Sequence, residues 1–189
     1  MKTNVVITIA APEDTPNMQE VFYKTWLATY PNESAGITTD DIKDFFKNEF
    51  TEEILKKRAD RLKNPPEGEK IFLAKKGSQI IGVCRVIKRS AYNQLQAIYI
   101  LPEEQGNGTG TMLWNIARNF FDEKDVVVNV ATYNKNAIAF YKNLGFRETG
   151  KFFENPRFKM KSGAMIPEME MRLLALTPYI GQKGRIVQR

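Results

Sequence analysis

Residues 101–113 read LPEEQGNGTGTML, with three glycines in five positions directly ahead of an apolar helical pattern. Glycine permits positive φ and lets another molecule approach the backbone, at an entropic cost on folding. A helix N-terminus adds unpaired N–H groups and the positive end of the macrodipole. Together these make a seat for an anion, above all a phosphate, which demands a strand leading in and a helix leading out.

Two common phosphate motifs do not fit the seat. A P-loop needs GxxxxGK[ST], and no Lys follows Gly106, Gly108 or Gly110 in that frame. A dinucleotide fingerprint needs GxGxxG and an acid some twenty residues on, but the spacing is GxGxG and Ala131 stands near that point.

The flanking pattern is mixed α and β. A strand over about 5–10 leads to a helix over about 16–29, which Asp14 or Thr15 caps, with Pro16 in its first turn and Met18, Val21, Phe22 and Trp26 as a stripe. The start, MKTNVVITIAAPED, has the outline of a signal peptide, yet its apolar run is short and β-branched, which favours the strand. Two shorter helices follow PNESAG: one opened by Thr38 or Thr39 carrying Ile42, Phe45 and Phe46, one opened by Thr51 carrying Ile54, Leu55, Ala59 and Leu62.

NPPEG then stops helix formation. Strands over about 70–75 and 79–88 form a hairpin through KKGS, and LQAIYI runs into the glycine segment. The next helix spans about 109–121, with Met112, Leu113, Ile116, Ala117 and Phe120 on its apolar face. VVVNV at 126–130 reads as a strand covered on both faces. NAIAFYKNLGF is a short helix, with Asn136 as N-cap and Gly145 as stop. Strands over about 146–153 and 165–174, with KSG at a hairpin tip, complete the core. Residues 1–175 thus form one domain, and 176–189 a basic C-terminal extension that reads as an arm or loose end.

Composition prunes the chemistry. There is no histidine, which excludes Ser–His and Cys–His nucleophilic systems and His-ligated metal sites; no metal is expected. The single cysteine, Cys84, lies in IIGVCRVI, where a buried, inert thiol fits best. One cysteine suits a reducing compartment, and a cytoplasmic location is expected. No apolar run reaches the roughly 20 residues of a membrane span. Of a net charge of +6, the whole excess lies in residues 142–189, with ten basic and four acidic side chains. That quarter could meet nucleic acid, a phosphorylated cofactor or solvent. Residues 31–55 hold seven acids and two bases, a net charge of −5.

The context of the glycine seat adds specificity. IYILPEEQGNGTGTML, followed about 30 residues later by NKNAIAFYKNLGF, resembles the GCN5-related N-acetyltransferases. The family's phosphate loop, Q/R-x-x-G-x-G/A, is matched by Gln105, Gly108 and Gly110. Its second signature is matched by Asn134, Ala137, Ile138, Tyr141, Leu144, Gly145 and Phe146, and the element order agrees over about residues 4–175. The resemblance implies an α/β (α+β) fold: a mixed sheet of about seven strands, splayed between the fourth and fifth, with four to five flanking helices. The ending SGAMIPEMEM further resembles a bacterial subgroup of the family with unassigned amine substrates.

It also implies acetyl-CoA as co-substrate. The pyrophosphate would rest on Gln105, Gly106, Asn107, Gly108, Thr109, Gly110 and Thr111, where backbone amides form an anion nest. Pantetheine would lie between the splayed strands against Ile98, Tyr99 and Ile100. Asn134 matches the residue that holds the pantetheine arm; a capping amide is the alternative. Tyr141 matches the general acid for the departing sulfur; a core aromatic with its hydroxyl on a backbone group is the alternative.

The expected reaction is direct attack of a primary amine on the thioester in a ternary complex. A lysine-like amine with pKa near 10.4 is only about one part in two thousand neutral at pH 7, so desolvation or a base must deprotonate it. The backbone N–H of Ile100 is the candidate oxyanion donor. No base is evident. Ribosomal-protein-acetylating relatives carry Glu where this chain has Asn129; Glu103 and Glu104 flank the phosphate loop and read as solvated surface, and Glu168 and Glu170, on a strand able to reach the acceptor cleft, are not assigned a catalytic role. Trp26 and Tyr30 either wall that cleft or pack in the core, and the acidic 31–55 segment favours a small cationic amine. Acetylation of a protein amine, a non-catalytic acetyl-CoA-binding module and a nucleic-acid-binding domain are the competing readings. Neither nucleic acid nor membrane is an expected partner, and a homodimer stays open.

Overall fold

A computed structural model of the chain describes residues 4–175; the expected C-terminal extension lies outside them. The chain runs β1 (Val5–Ile9), α1 (Thr15–Thr29), α2 (Thr39–Phe46), α3 (Glu52–Lys63), β2 (Glu69–Lys76), β3 (Gln79–Lys88) and β4 (Asn93–Ile100). It continues through α4 (Thr109–Ala117), β5 (Val126–Ala131), α5 (Lys135–Asn143), β6 (Arg147–Glu154) and β7 (Pro167–Leu173). The seven strands form one sheet in the order β1-β2-β3-β4-β5-β7-β6, antiparallel except for β4 and β5. No helix among the described residues is long and apolar enough to cross a membrane.

The parallel contact is brief. Only Asn93 pairs with Val126 and Gln94 with Val127; beyond them the strands separate. The cause is local. Against β3, Arg85 pairs with Ala97 and Val86 with Leu95, so Gln96 is one residue too many on β4. Such a bulge bends its strand and sharpens its twist. The buried Asn93 side chain anchors the closed end by donating to the carbonyls of Asp122 and Lys124, at 2.9 and 3.1 Å.

Cores lie on both sheet faces. The larger gathers Leu73, Val83, Leu95, Leu113, Trp114, Val128, Phe146 and Met171. The smaller, under α1 and α2, gathers Trp26, Ile37, Ile42, Phe46, Ala131, Met160 and Ile166, with Trp26 stacked on Phe45 at 5.0 Å between ring centres. Strand β5 is covered on both faces, as its β-branched run implies.

Four expectations need correction. The helix after the glycines ends at Ala117 and continues only as a 3₁₀ turn over Arg118–Phe120. Its buried face carries Thr109, Leu113, Trp114 and Ala117, whereas Met112 and Ile116 are exposed. The sequence TMLWNIA offers two stripes, and the one with the indole is the one buried. Strand β6 does not complete the core, because it is the sheet edge and almost wholly exposed, with Phe152 63% accessible. Asn136 does not cap α5; the helix begins two residues earlier, at Lys135, and the Asn134 side chain accepts from the N–H of Ala137 at 3.1 Å. KSG is a turn inside a longer β6–β7 connection that also holds a 3₁₀ turn over Pro156–Phe158.

Candidate active site

The divergence of β4 from β5 opens a cleft of about 930 Å³. One wall is residues 96–100 of β4, the other Val128–Ala131 of β5. Backbone polar groups alternate sides along a strand, and the N–H of Leu101 reaches β3 at the carbonyl of Ile81, at 2.9 Å. The N–H and C=O of Ile98 and Ile100 therefore point away from β3, into the cleft. Gln105 folds back so that its Nε2 donates to the Ile100 carbonyl at 3.0 Å. The Ile100 N–H remains directed at the space between the strands.

At one end the cleft meets the glycine turn. Gly106 and Gly108 have φ of 76° and 81°, and a Cβ on either would meet nothing within 4 Å. Gly108 is the N-cap of α4, so the amides that follow it open outward at the positive end of the helix. Gly110 serves differently. A Cβ there would stand 3.4 Å from the Phe140 ring, so its bare Cα lets α4 and α5 approach. The turn thus has the open, donor-lined shape that a diphosphate needs, and the β4 edge has unpaired backbone groups for an extended arm.

Of the residues expected to hold acetyl-CoA, Ile98, Tyr99, Ile100, Gln105, Gly106, Gly108, Thr109, Gly110, Thr111 and Asn134 line the cleft, as does Tyr141. Asn107 is exposed and does not. Asn134 uses its oxygen on the α5 cap, which leaves its amide NH₂ for the cleft. Tyr141 is buried on the inner face of α5, with its hydroxyl pushed well above the ordinary tyrosine range by burial and by the neighbouring Tyr99. It stays a neutral proton donor at any physiological pH.

The other end is walled by tyrosines. Tyr30, at the C-terminus of α1, shares a 3.0 Å hydrogen bond between its hydroxyl and that of Tyr99. Tyr133, just beyond β5, donates its hydroxyl to the Tyr30 carbonyl at 2.9 Å. Burial raises all three, Tyr133 to about 12. Trp26 belongs to the core, 5% exposed, and leaves the cleft wall to Tyr30.

The acidic 31–55 segment contributes nothing to the lining. Asp40 pairs with Lys43, Asp44 with Lys161 and Glu49 with Arg58. Asp41 accepts from the Thr38 backbone and from Ser162, and those bonds hold it down to about 2. Glu104 lines the coenzyme end but is paired with Lys76 at 2.8 Å. Neither Tyr133 nor the tyrosine pairing announces itself in the sequence, because contacts 69 and 103 residues apart leave no periodic trace.

Comparison with known proteins bears on this geometry. Residues 22–165 match the acetyltransferase (GNAT) domain. A probable N-acetyltransferase of Mycobacterium tuberculosis is 25% identical over 181 residues, covering 93% of this chain and 97% of its own. The crystal structure of the PaiA N-acetyltransferase of Thermoplasma acidophilum with coenzyme A superposes with a TM-score of 0.67 at 18% identity, over 88% of this chain and 98% of that one. The ribosomal-protein-S18-alanine N-acetyltransferase of Escherichia coli gives 0.62 at 17% identity, over 96% of this chain and all of that one. With the splayed β4–β5 pair, the glycine turn and the domain match in hand, the chain belongs to the GNAT family and is an acetyl-CoA-dependent acyltransferase.

Proposed function

We propose that this enzyme transfers the acetyl group of acetyl-CoA to the primary amine of a small, cationic acceptor by direct attack in a ternary complex. The observation that carries the reading is the β4–β5 splay, which joins a diphosphate seat at one end to a tyrosine-walled end at the other. Gln105 to Thr111, except Asn107, form the diphosphate seat, Ile98 to Ile100 run beside the pantetheine arm, and the Asn134 amide reaches the same arm. The Ile100 N–H, directed into the space between the strands, is the donor for the developing oxyanion. Tyr141, buried on the α5 wall of the cleft, is the group that protonates the leaving sulfur.

The acceptor class follows from the far wall. Tyrosine faces attract an ammonium group, and their hydroxyls accept its hydrogen bonds. The hydroxyls of Tyr30 and Tyr99 are joined across this wall at 3.0 Å, an arrangement that suits a compact amine over a folded polypeptide. Asn129 lines the cleft where ribosomal-protein-acetylating relatives carry a glutamate, which argues against copying their acceptor.

Release of coenzyme A thiol, measured against spermidine, a primary monoamine, an alanine-headed peptide and an aminoglycoside, tests the proposal. Turnover is expected with the small cationic amines and little with the peptide. Preference for the peptide, or for an uncharged amine at low salt, overturns the acceptor class.

A further inference from the structure

On β7 lies a buried carboxylate with no ion-pair partner among the described residues. Glu168 stands on β7 opposite Ala131 of β5. Directly opposed residues of an antiparallel pair point to one face, and Ala131 packs in the core beneath α1, so Glu168 faces the acceptor side. It is 8% exposed, and its Oε2 has no hydrogen-bond partner. Among the described residues no lysine or arginine pairs with it, although its neighbour Glu170 is bonded to both Lys151 and Arg172. A buried acid left without a counter-ion costs several kcal/mol, so a site that keeps one is expected to use it. Ala131, its cross-strand partner, lines the same cleft as Tyr30 of α1, Tyr99 of β4 and Tyr133 after β5, all three of which feel its charge, and Asn155 from the β6–β7 connection approaches its carboxyl. Burial raises its carboxyl above the ordinary glutamate range, against the opposing pull of the Asn155 side chain.

The geometry points to Glu168 as the proton sink for the acceptor amine, reached through the hydrogen-bonded hydroxyls of Tyr99 and Tyr30. This rests on the acetyl transfer proposed above and supplies the base that the sequence does not reveal. The protonated amine gives one proton to the tyrosine pair, which passes a proton on to Glu168 and returns to its neutral form. The freed nitrogen lone pair attacks the thioester carbon, so a C–N bond forms and the C–S bond breaks. Tyr141 gives its proton to the departing sulfur and regains one from the second N–H of the attacking nitrogen. Glu168 finally loses its proton to water, so ammonium and thioester yield amide, thiol and one released proton. Because it acts through the tyrosines, Glu168 is a positioning and relay residue, and it selects amines that are cationic in solution.

The test compares full-length wild type with Glu168→Gln, an isostere that fills the same space. With the best cationic amine of the panel, kcat at pH 7 is expected to fall about 10²-fold, the usual scale for lost acid–base catalysis. The deficit should shrink as pH rises and the amine deprotonates unaided. With hydroxylamine, largely neutral at pH 7, the variant should keep most of its rate. A structural role would lower both acceptors alike and leave the pH profile unchanged, and that outcome overturns the assignment. A second readout needs no turnover: in carboxyl-¹³C-glutamate protein, the resonance missing from Glu168→Gln should titrate above the other glutamates in the wild type. Titration at or below the ordinary range overturns the relay. Binding of coenzyme A with no turnover of any amine instead refutes the proposed acceptor chemistry, and the carboxyl titration still judges Glu168.

Discussion

Replacing Gly108 by alanine separates two costs that a glycine can hide. Its φ of 81° lies in the left-handed region, where an L side chain costs about 1–2 kcal/mol. The added Cβ meets no atom within 4 Å, so no packing penalty joins the strain. The free protein should lose about 1–2 kcal/mol, or about 3–6 °C in Tm for a chain of this size. Gly77, in the β2–β3 turn and outside the cleft lining, has φ of 62° and equally open surroundings. Gly77→Ala should lose the same stability and no affinity for coenzyme A. Gly108→Ala should lose affinity as well, because its methyl stands where a diphosphate meets the α4 amides. Loss of one charge-assisted hydrogen bond, about 1.5–3 kcal/mol, corresponds to roughly 10- to 100-fold weaker binding. Thermal unfolding and calorimetric titration with coenzyme A measure the two terms. A folded Gly108→Ala that binds within twofold of its parent, or a Gly77→Ala that weakens binding as much, refutes the diphosphate seat.

Three further outcomes are expected. Tyr141→Phe should lower kcat about 10²-fold or more while coenzyme A affinity holds, and an unchanged rate with chemistry limiting removes the hydroxyl from the mechanism. Asp41 is held down to about 2 by bonds from Thr38 and Ser162, so its contribution to stability is whole above pH 4 and fades as pH falls toward 2. Asp41→Asn should cost about 1 kcal/mol at pH 7, the scale of a lost helix cap, and denaturant midpoints should converge with the parent near pH 2; a gap constant with pH contradicts this. Cys84 is buried, with its thiol raised by burial, so it should resist alkylation in the native protein and react fully once urea unfolds it; rapid native labelling would contradict that burial.

Much of this enzyme was readable from contiguous residues. The β-branched run at 126–130 announced a strand covered on both faces, and QGNGTG announced the turn that opens α4. Each depends on neighbours within a turn or two, where pleat and helical period leave their mark directly in the order of side chains. Met112, Ile116 and β6 went the other way, because exposure depends on which element covers a face, and no element among the described residues covers these.

The sequence by itself determined the class of strand–turn–helix seat, the absence of histidine chemistry and the tyrosine on α5. Only tertiary structure decided that Gln96 bulges to part β4 from β5, that the hydroxyls of Tyr30 and Tyr99 meet 69 residues apart, and that Glu168 lies buried on β7 opposite Ala131. Strand register and sheet order set those meetings through long-range pairing, and a pairing partner distant along the chain imposes no period that the local sequence can display.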